Sequence, residues 1–171
     1  MTAVADRGRL VAKGLSVEIK GGRRLLAPVD LLFEPGHLTA IVGPSGSGKS
    51  TLLNALAGIR PATHGQVLFN GADMYASFDE LRHRIGHVPQ DEVLHHQLTL
   101  RRALQYAARL RFGSGTPEVE RDARVLEVLE ALGLTERGDV RIERLSGGQQ
   151  QRVSVGLELL TRPTMLFLDE P

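Results

Sequence analysis

The sequence is 171 residues long, 42% hydrophobic and 24% charged, with a formal net charge of +1 and no cysteine. Such a chain is long enough to bury a substantial core, cannot use disulfide or thiolate chemistry, and offers no overall electrostatic footprint for nucleic acid. Residues 1–9 are polar rather than signal-like, and no apolar run approaches the roughly 20 residues of a membrane helix, so the sequence reads as soluble by itself.

Leu10 to Ile19 alternates as a strand, Gly21-Gly22 turns the chain, and Leu25 to Phe33 reads as a second strand. After Pro35-Gly36, the apolar run Leu38 to Val42 predicts a strand leading into Gly43-Pro44-Ser45-Gly46-Ser47-Gly48-Lys49-Ser50-Thr51. A helix is expected from near Gly48 to about Ala57, with Gly58 as a left-handed cap and Pro61 preventing continuation. Gln66 to Phe69 is a short strand closed by Asn70-Gly71, and Ile85 to Val88 is another that ends at Pro89-Gln90.

From Leu100 the apolar spacing turns helical, with Leu100, Ala103, Leu104 and Ala107 on one face and Thr99 as the cap. A loop follows from Phe112 to Thr116. Pro117 is expected at the first position of the next helix, whose stripe is Val125, Leu126, Val128, Leu129 and Leu132 and whose stop is Gly133. These two helices interrupt the strand pattern and read as an inserted helical subdomain. Ser146 and Gln149 then predict a capping box, with Val153, Gly156, Leu157 and Leu160 on one face of the helix it opens. Thr164 to Leu168 predicts a strand buried on both faces, ending at Asp169-Glu170-Pro171.

Three stretches carry chemistry. Gly43 to Thr51 fits a phosphate-binding loop between strand and helix: glycines at 43, 46 and 48 let backbone N–H groups converge on one anion, and the helix start adds its dipole. Lys49 would bring positive charge to the β- and γ-phosphates and Ser50 would ligate Mg²⁺, while Thr51 serves the α-phosphate or packing. Asp169-Glu170, beyond an apolar strand, is where an open α/β sheet places catalytic carboxylates: Asp169 would hold Mg²⁺ through water, and Glu170 would orient or deprotonate the attacking water. Gln90 would contact Mg²⁺ or that water. The histidines at 64, 83, 87, 95 and 96 form no metal-ligand spacing, and His95-His96 reads as a solvated loop. Arg82 to Arg84 and Arg101-Arg102 read as solvated helix faces.

GPSGSGKST at 43–51, VPQ at 88–90, LSGGQ at 145–149 and MLFLDEP at 165–171 together resemble the nucleotide-binding domain of ATP-binding-cassette (ABC) proteins, across nearly the whole chain. IGHVPQDEVLHHQLTL and VSVGLELLTRPTMLFLDEP further resemble the G-type transporters and the bacterial ABC proteins that carry an FHA domain. The resemblance implies an α/β P-loop NTPase with a RecA-like, mostly parallel core, an N-terminal antiparallel β subdomain and an inserted helical subdomain. Residues 1–90 would be the β subdomain and P-loop core, 91–149 the helical subdomain, and 150–171 the return to the core.

It also implies the mechanism of an ATP-hydrolysing motor. Two such domains would meet head to tail around Mg-ATP, the phosphate loop of one facing Ser146, Gly147 and Gly148 of the other, and hydrolysis would open the dimer. The partners implied are that second domain and a transmembrane domain, with no nucleic acid, at the cytoplasmic face of the cell membrane. The region from Asp91 to Thr99 would lie near the coupling contact with the membrane partner. Two rival readings are a soluble, non-transport ABC ATPase acting on nucleic acid or ribosomes, and a nucleotide-sensing interaction module.

The sequence departs from the family pattern twice. Val17 to Lys20 holds no aromatic ring for adenine, so aliphatic contact with Val17 or Ile19, or loose base selectivity, is expected. The sequence also stops after the Walker B motif, before the loop aspartate and the histidine of the parent domain; a piece of that extent is expected to bind nucleotide weakly and hydrolyse it poorly.

Overall fold

The structure, a computed structural model, describes residues 8–90 and 94–170. The chain divides at Ile85/Gly86 into two compact units.

The first unit is built on an antiparallel sheet. Its strands are β1 (Leu10–Glu18), β2 (Arg24–Phe33), β3 (His64–Phe69) and β4 (Ala72–Asp73), in the order β2-β1-β3-β4. Period-two alternation puts Leu10 and Ala12 on the buried face of β1, and a bulge at Lys13-Gly14 then shifts the phase so that Leu15 is buried too. The amide that the bulge frees, Gly14 N–H, donates to the Asp30 carboxylate at 2.7 Å. Gly65 lies against this bulge at φ +85°, where an added Cβ would meet the carbonyl oxygens of Lys13 and Gly14, each at 2.5 Å.

Helix α1 (Lys49–Leu56) buries Leu52, Ala55 and Leu56. It stops as expected: Gly58 takes φ +74° and lies so close to Phe78 and Met74 that no side chain fits there. Tyr75 fastens this end, its hydroxyl donating to Ala55 O at 3.0 Å and accepting from Ala62 N–H at 3.1 Å. Burial raises the Tyr75 pKa, which keeps the hydroxyl proton in place to donate. A short helix α2 (Phe78–Leu81) and a 3₁₀ turn at Arg82–Arg84 complete the unit.

In the second unit, β5 (Ile85–Val88) pairs with β6 (Met165–Leu168), and between them run α3 (Leu100–Arg111), α4 (Glu118–Ala131) and α5 (Gly147–Leu159). Thr99 caps α3 by accepting from Arg102 N–H. The three helices share an apolar cluster that includes Leu100, Leu104, Val128, Leu129, Ile142 and Val153. Helices α4 and α5 touch at Gly156, where a Cβ would sit 2.5 Å from Leu132 Cδ1.

Three expectations are corrected. Residues 38–42 form no strand, with Leu38 96% and Val42 88% exposed; among the described residues no strand lies beside them to supply a hydrogen-bond ladder, and an apolar run alone does not make one. Pro117 is the N-cap of α4 rather than its first helical residue, because its ψ of 147° is extended. In β6 only Phe167 is buried, the other three residues being intermediate, so this strand is not covered on both faces.

The Gly65 contact predicts a graded response. Gly65→Ala should lower unfolding free energy by about 3 kcal/mol, from left-handed strain plus the backbone clash. Gly71→Ala, at φ +84° with open space around it, should cost only about 1 kcal/mol by the same denaturant titration.

Candidate functional site

The loop from Gly43 to Gly48 lies in the first unit. Ser47 N–H bonds to Pro44 O at 3.2 Å, and Gly46 and Gly48 take φ of +77° and +93°. Two tight approaches shape it: a Cβ on Gly43 would meet Ser47 Oγ at 2.8 Å, and one on Gly48 would meet Leu25 O of β2 at 2.9 Å. Pro44 and Ser45 complete the exposed turn.

Helix α1 then starts with no side-chain cap and no acidic residue in its first turn. Leu52 N–H is the first to bond back, to Gly48 O at 2.8 Å. The N–H groups of Lys49, Ser50 and Thr51 are thus the orphan donors of the helix start, which together with the dipole make a site for an anion. Lys49 Nζ donates to Gly43 O at 2.9 Å and Pro44 O at 3.1 Å, folding its charge over the loop. Glycine backbone, free donors and a lysine that meets no carboxylate among the described residues fit a polyphosphate.

The second unit carries the other predicted residues. Asp169 N–H donates to Val88 O at 3.0 Å, so the ends of β5 and β6 lie side by side. This brings Gln90 to Glu170: Gln90 Nε2 donates to Glu170 Oε2 at 2.7 Å. Glu170 is exposed and takes φ +52°, whereas Asp169 is only 6% exposed. With its amide nitrogen engaged, Gln90 has Oε1 unbonded among the described residues, and Asp169 adds a carboxylate; these are the hard oxygen donors that Mg²⁺ takes.

The start of α5 has the expected capping box. Ser146 Oγ accepts from Gln149 N–H at 3.4 Å, and Gln149 Oε1 accepts from Ser146 N–H at 2.9 Å. Gly147 and Gly148 face open space. Ser146 retains its hydroxyl proton for a further partner.

Sequence reasoning missed His87 and Glu158. His87 is half-buried, and burial pushes its pKa below the ordinary imidazole range more than the nearby Asp169 and Glu158 carboxylates draw it up. Its backbone N–H donates to Glu158 Oε2 at 3.3 Å. No local spacing signals this contact between β5 and α5. His95 and His96 are exposed as expected, and the predicted coupling segment is only partly described, since residues 91–93 lie outside the described residues, as does Pro171.

An uncapped helix behind a glycine loop is the anion-binding arrangement of P-loop proteins. A sequence profile of the ABC transporter family matches residues 26–171. The chain is 48% identical over 164 residues to the ABC transporter ATP-binding/permease protein of Mycobacterium tuberculosis, covering 96% of this chain and 19% of that protein. It is 40% identical over 167 residues to ABC transporter G family member 28 of Arabidopsis thaliana (93% and 15% covered). It is 37% identical over 168 residues to the broad substrate specificity ATP-binding cassette transporter of Rattus norvegicus (94% and 25%). Among solved structures, CbiO1 of Clostridium perfringens, part of an ABC transporter complex, matches with a TM-score of 0.84 at 29% identity, over 95% of this chain and 65% of that one. The chain belongs to the ABC transporter family, in its ATP-binding domain, with G-family relatives, and spans a quarter or less of the curated relatives named.

The loop geometry makes Gly48 the residue least open to change. Gly48→Ala should weaken ATP binding by about tenfold or more, some 1.4 kcal/mol, by forcing the loop away from β2; calorimetric titration reads the loss.

Proposed function

We propose that this chain is the ATP-hydrolysing motor domain of a membrane transporter. The observation that carries the proposal is the Gln90–Glu170 hydrogen bond beside buried Asp169. It joins an amide to a carboxylate, with the Asp169 carboxylate next in the chain, and these are the groups needed to hold a metal and to take a proton from water.

In this reading the N–H groups of Lys49, Ser50 and Thr51 and the Lys49 ammonium bind the phosphates, and Ser50, Gln90 and, through water, Asp169 are the residues that would hold Mg²⁺. When bound, Mg²⁺ neutralises charge on the phosphate oxygens. Glu170 exchanges its hydrogen bond from Gln90 for one from water and orients that water or takes its proton. As the water oxygen bonds the γ-phosphorus, the bond to the β–γ bridging oxygen breaks, leaving ADP and phosphate. Ser146, through its hydroxyl, and Gly147 and Gly148, through their N–H groups, donate to the γ-phosphate held by a second copy placed head to tail. ATP therefore joins two domains, and its hydrolysis parts them.

The RecA-like parallel core and the division into 1–90, 91–149 and 150–171 belong to the same reading. The packing of α3 on α4 supports an inserted subdomain in the middle segment, and α5, which begins at the end of that segment, shares their apolar cluster. A transmembrane partner, and a place at the cytoplasmic face of the membrane, are supported by the ATP-binding/permease relative in Mycobacterium tuberculosis.

Glu170→Gln, in the full-length protein that carries this sequence, tests the chemistry. It keeps the size of the side chain but removes the proton acceptor, so turnover should fall by at least about 100-fold while ATP affinity changes little. A phosphate-release assay paired with equilibrium binding gives both readings. Turnover close to the unsubstituted protein would contradict the role given to Glu170.

A further inference from the structure

Strand β5 has β6 on one side only among the described residues. Since successive residues of a strand point their backbone groups to opposite edges, Val88 O faces β6, where it accepts from Asp169 N–H, and His87 N–H faces away. That outward donor would be an unpaired edge group. A side chain takes it instead: Glu158 Oε2, from the last turn of α5, at 3.3 Å.

The same carboxylate holds a second element. Glu158 Oε1 accepts from Arg111 Nη2, Arg111 being the last residue of α3, and Arg111 Nη1 donates to Leu157 O of α5. The Glu158 side chain is 20% exposed, so water competes little for either bond. The close approach is built in, because a Cβ at Gly86 would lie 3.2 Å from Glu158 Cβ and 2.7 Å from Leu166 Cδ1. One carboxylate therefore ties the ends of α3 and α5 to β5, three residues before Gln90. The other end of α5 carries Ser146, Gly147 and Gly148, thirteen helical residues or about 20 Å away.

We propose that Glu158 is a positioning residue for the Gln90 loop: by accepting from His87 N–H while bound to Arg111, it fixes where β5 ends and so holds the Gln90 amide at Glu170. A change at the Arg111–Glu158 ion pair reaches Gln90 through this carboxylate. The proposal rests on the ATPase reading for its kinetic consequence, though not for its structural one.

The test uses the full-length protein that carries this sequence, with three variants. Glu158→Ala removes both bonds. Glu158→Gln keeps an acceptor for His87 N–H and gives up the charge that binds Arg111. Arg124→Ala is the stability control, since Arg124 donates to Leu159 O and Leu160 O at the end of α5 without touching β5. Expected for Glu158→Ala is a kcat lower by about tenfold or more with KM for ATP within about twofold, whereas Glu158→Gln stays within about threefold of the unsubstituted kcat. Arg124→Ala should lower the melting temperature and leave kcat alone.

Hydrogen exchange gives a readout independent of turnover. The amides of residues 86–88 and 90 should exchange at least about fivefold faster in Glu158→Ala, but not in Arg124→Ala. Unchanged exchange at His87 in Glu158→Ala overturns the proposal, as does a Glu158→Ala protein that loses stability yet keeps its kcat. If the unsubstituted protein hydrolyses no ATP, the ATPase reading fails, and exchange at residues 86–90 alone decides the role of Glu158.

Discussion

The hydrogen bond from Asp169 N–H to Val88 O is the link on which the second unit depends. It joins strands from the two ends of that unit and closes a loop holding α3, α4 and α5. Closing so long a loop costs chain entropy, which the apolar cluster around Leu104, Leu129 and Val153 offsets. Once the strands are paired, Gln90 and Glu170 follow the same strand ends, and their 2.7 Å contact is a consequence of strand register.

The two helix starts that bear on nucleotide chemistry are finished differently. Helix α1 leaves three first-turn donors free, aided by Lys49 and without a side-chain cap. Helix α5 spends its Gln149 N–H on Ser146, keeping the N–H groups of Gly147 and Gly148 and the Ser146 hydroxyl proton. An uncapped start is less stable by itself and more receptive to an anion; a boxed start is more rigid and offers fewer donors. In the proposed ATPase reading, this difference suits α1 to primary phosphate binding and α5 to a contact that forms and is released.

Local chemistry was legible in the sequence wherever one residue type answers one backbone demand. The left-handed Gly58 and Gly133, the Thr99 cap and the Ser146–Gln149 box all have their cause within a few residues and appear where expected. Residues 38–42 were misread as a strand, because a strand needs neighbours and an apolar run does not name them. Pro117 misled in a smaller way: its fixed φ suits the first helical turn, but its extended ψ makes it the cap. Phosphate-loop and carboxylate residues could be picked out by type and spacing, whereas Glu158 could not, its bond to His87 N–H arising only from the docking of α5 on β5.

In the proposed reading, glycine-loop backbone, the α1 start and Lys49 together recognise the phosphate chain. Calorimetric titration of one protein sample with ATP and with AMP, each in the presence of Mg²⁺, tests it most directly. ATP should bind at least about a hundredfold more tightly than AMP, some 2.7 kcal/mol, because the β- and γ-phosphates carry the affinity. Equal affinities would mean that the nucleoside is the recognised part, and would contradict the account.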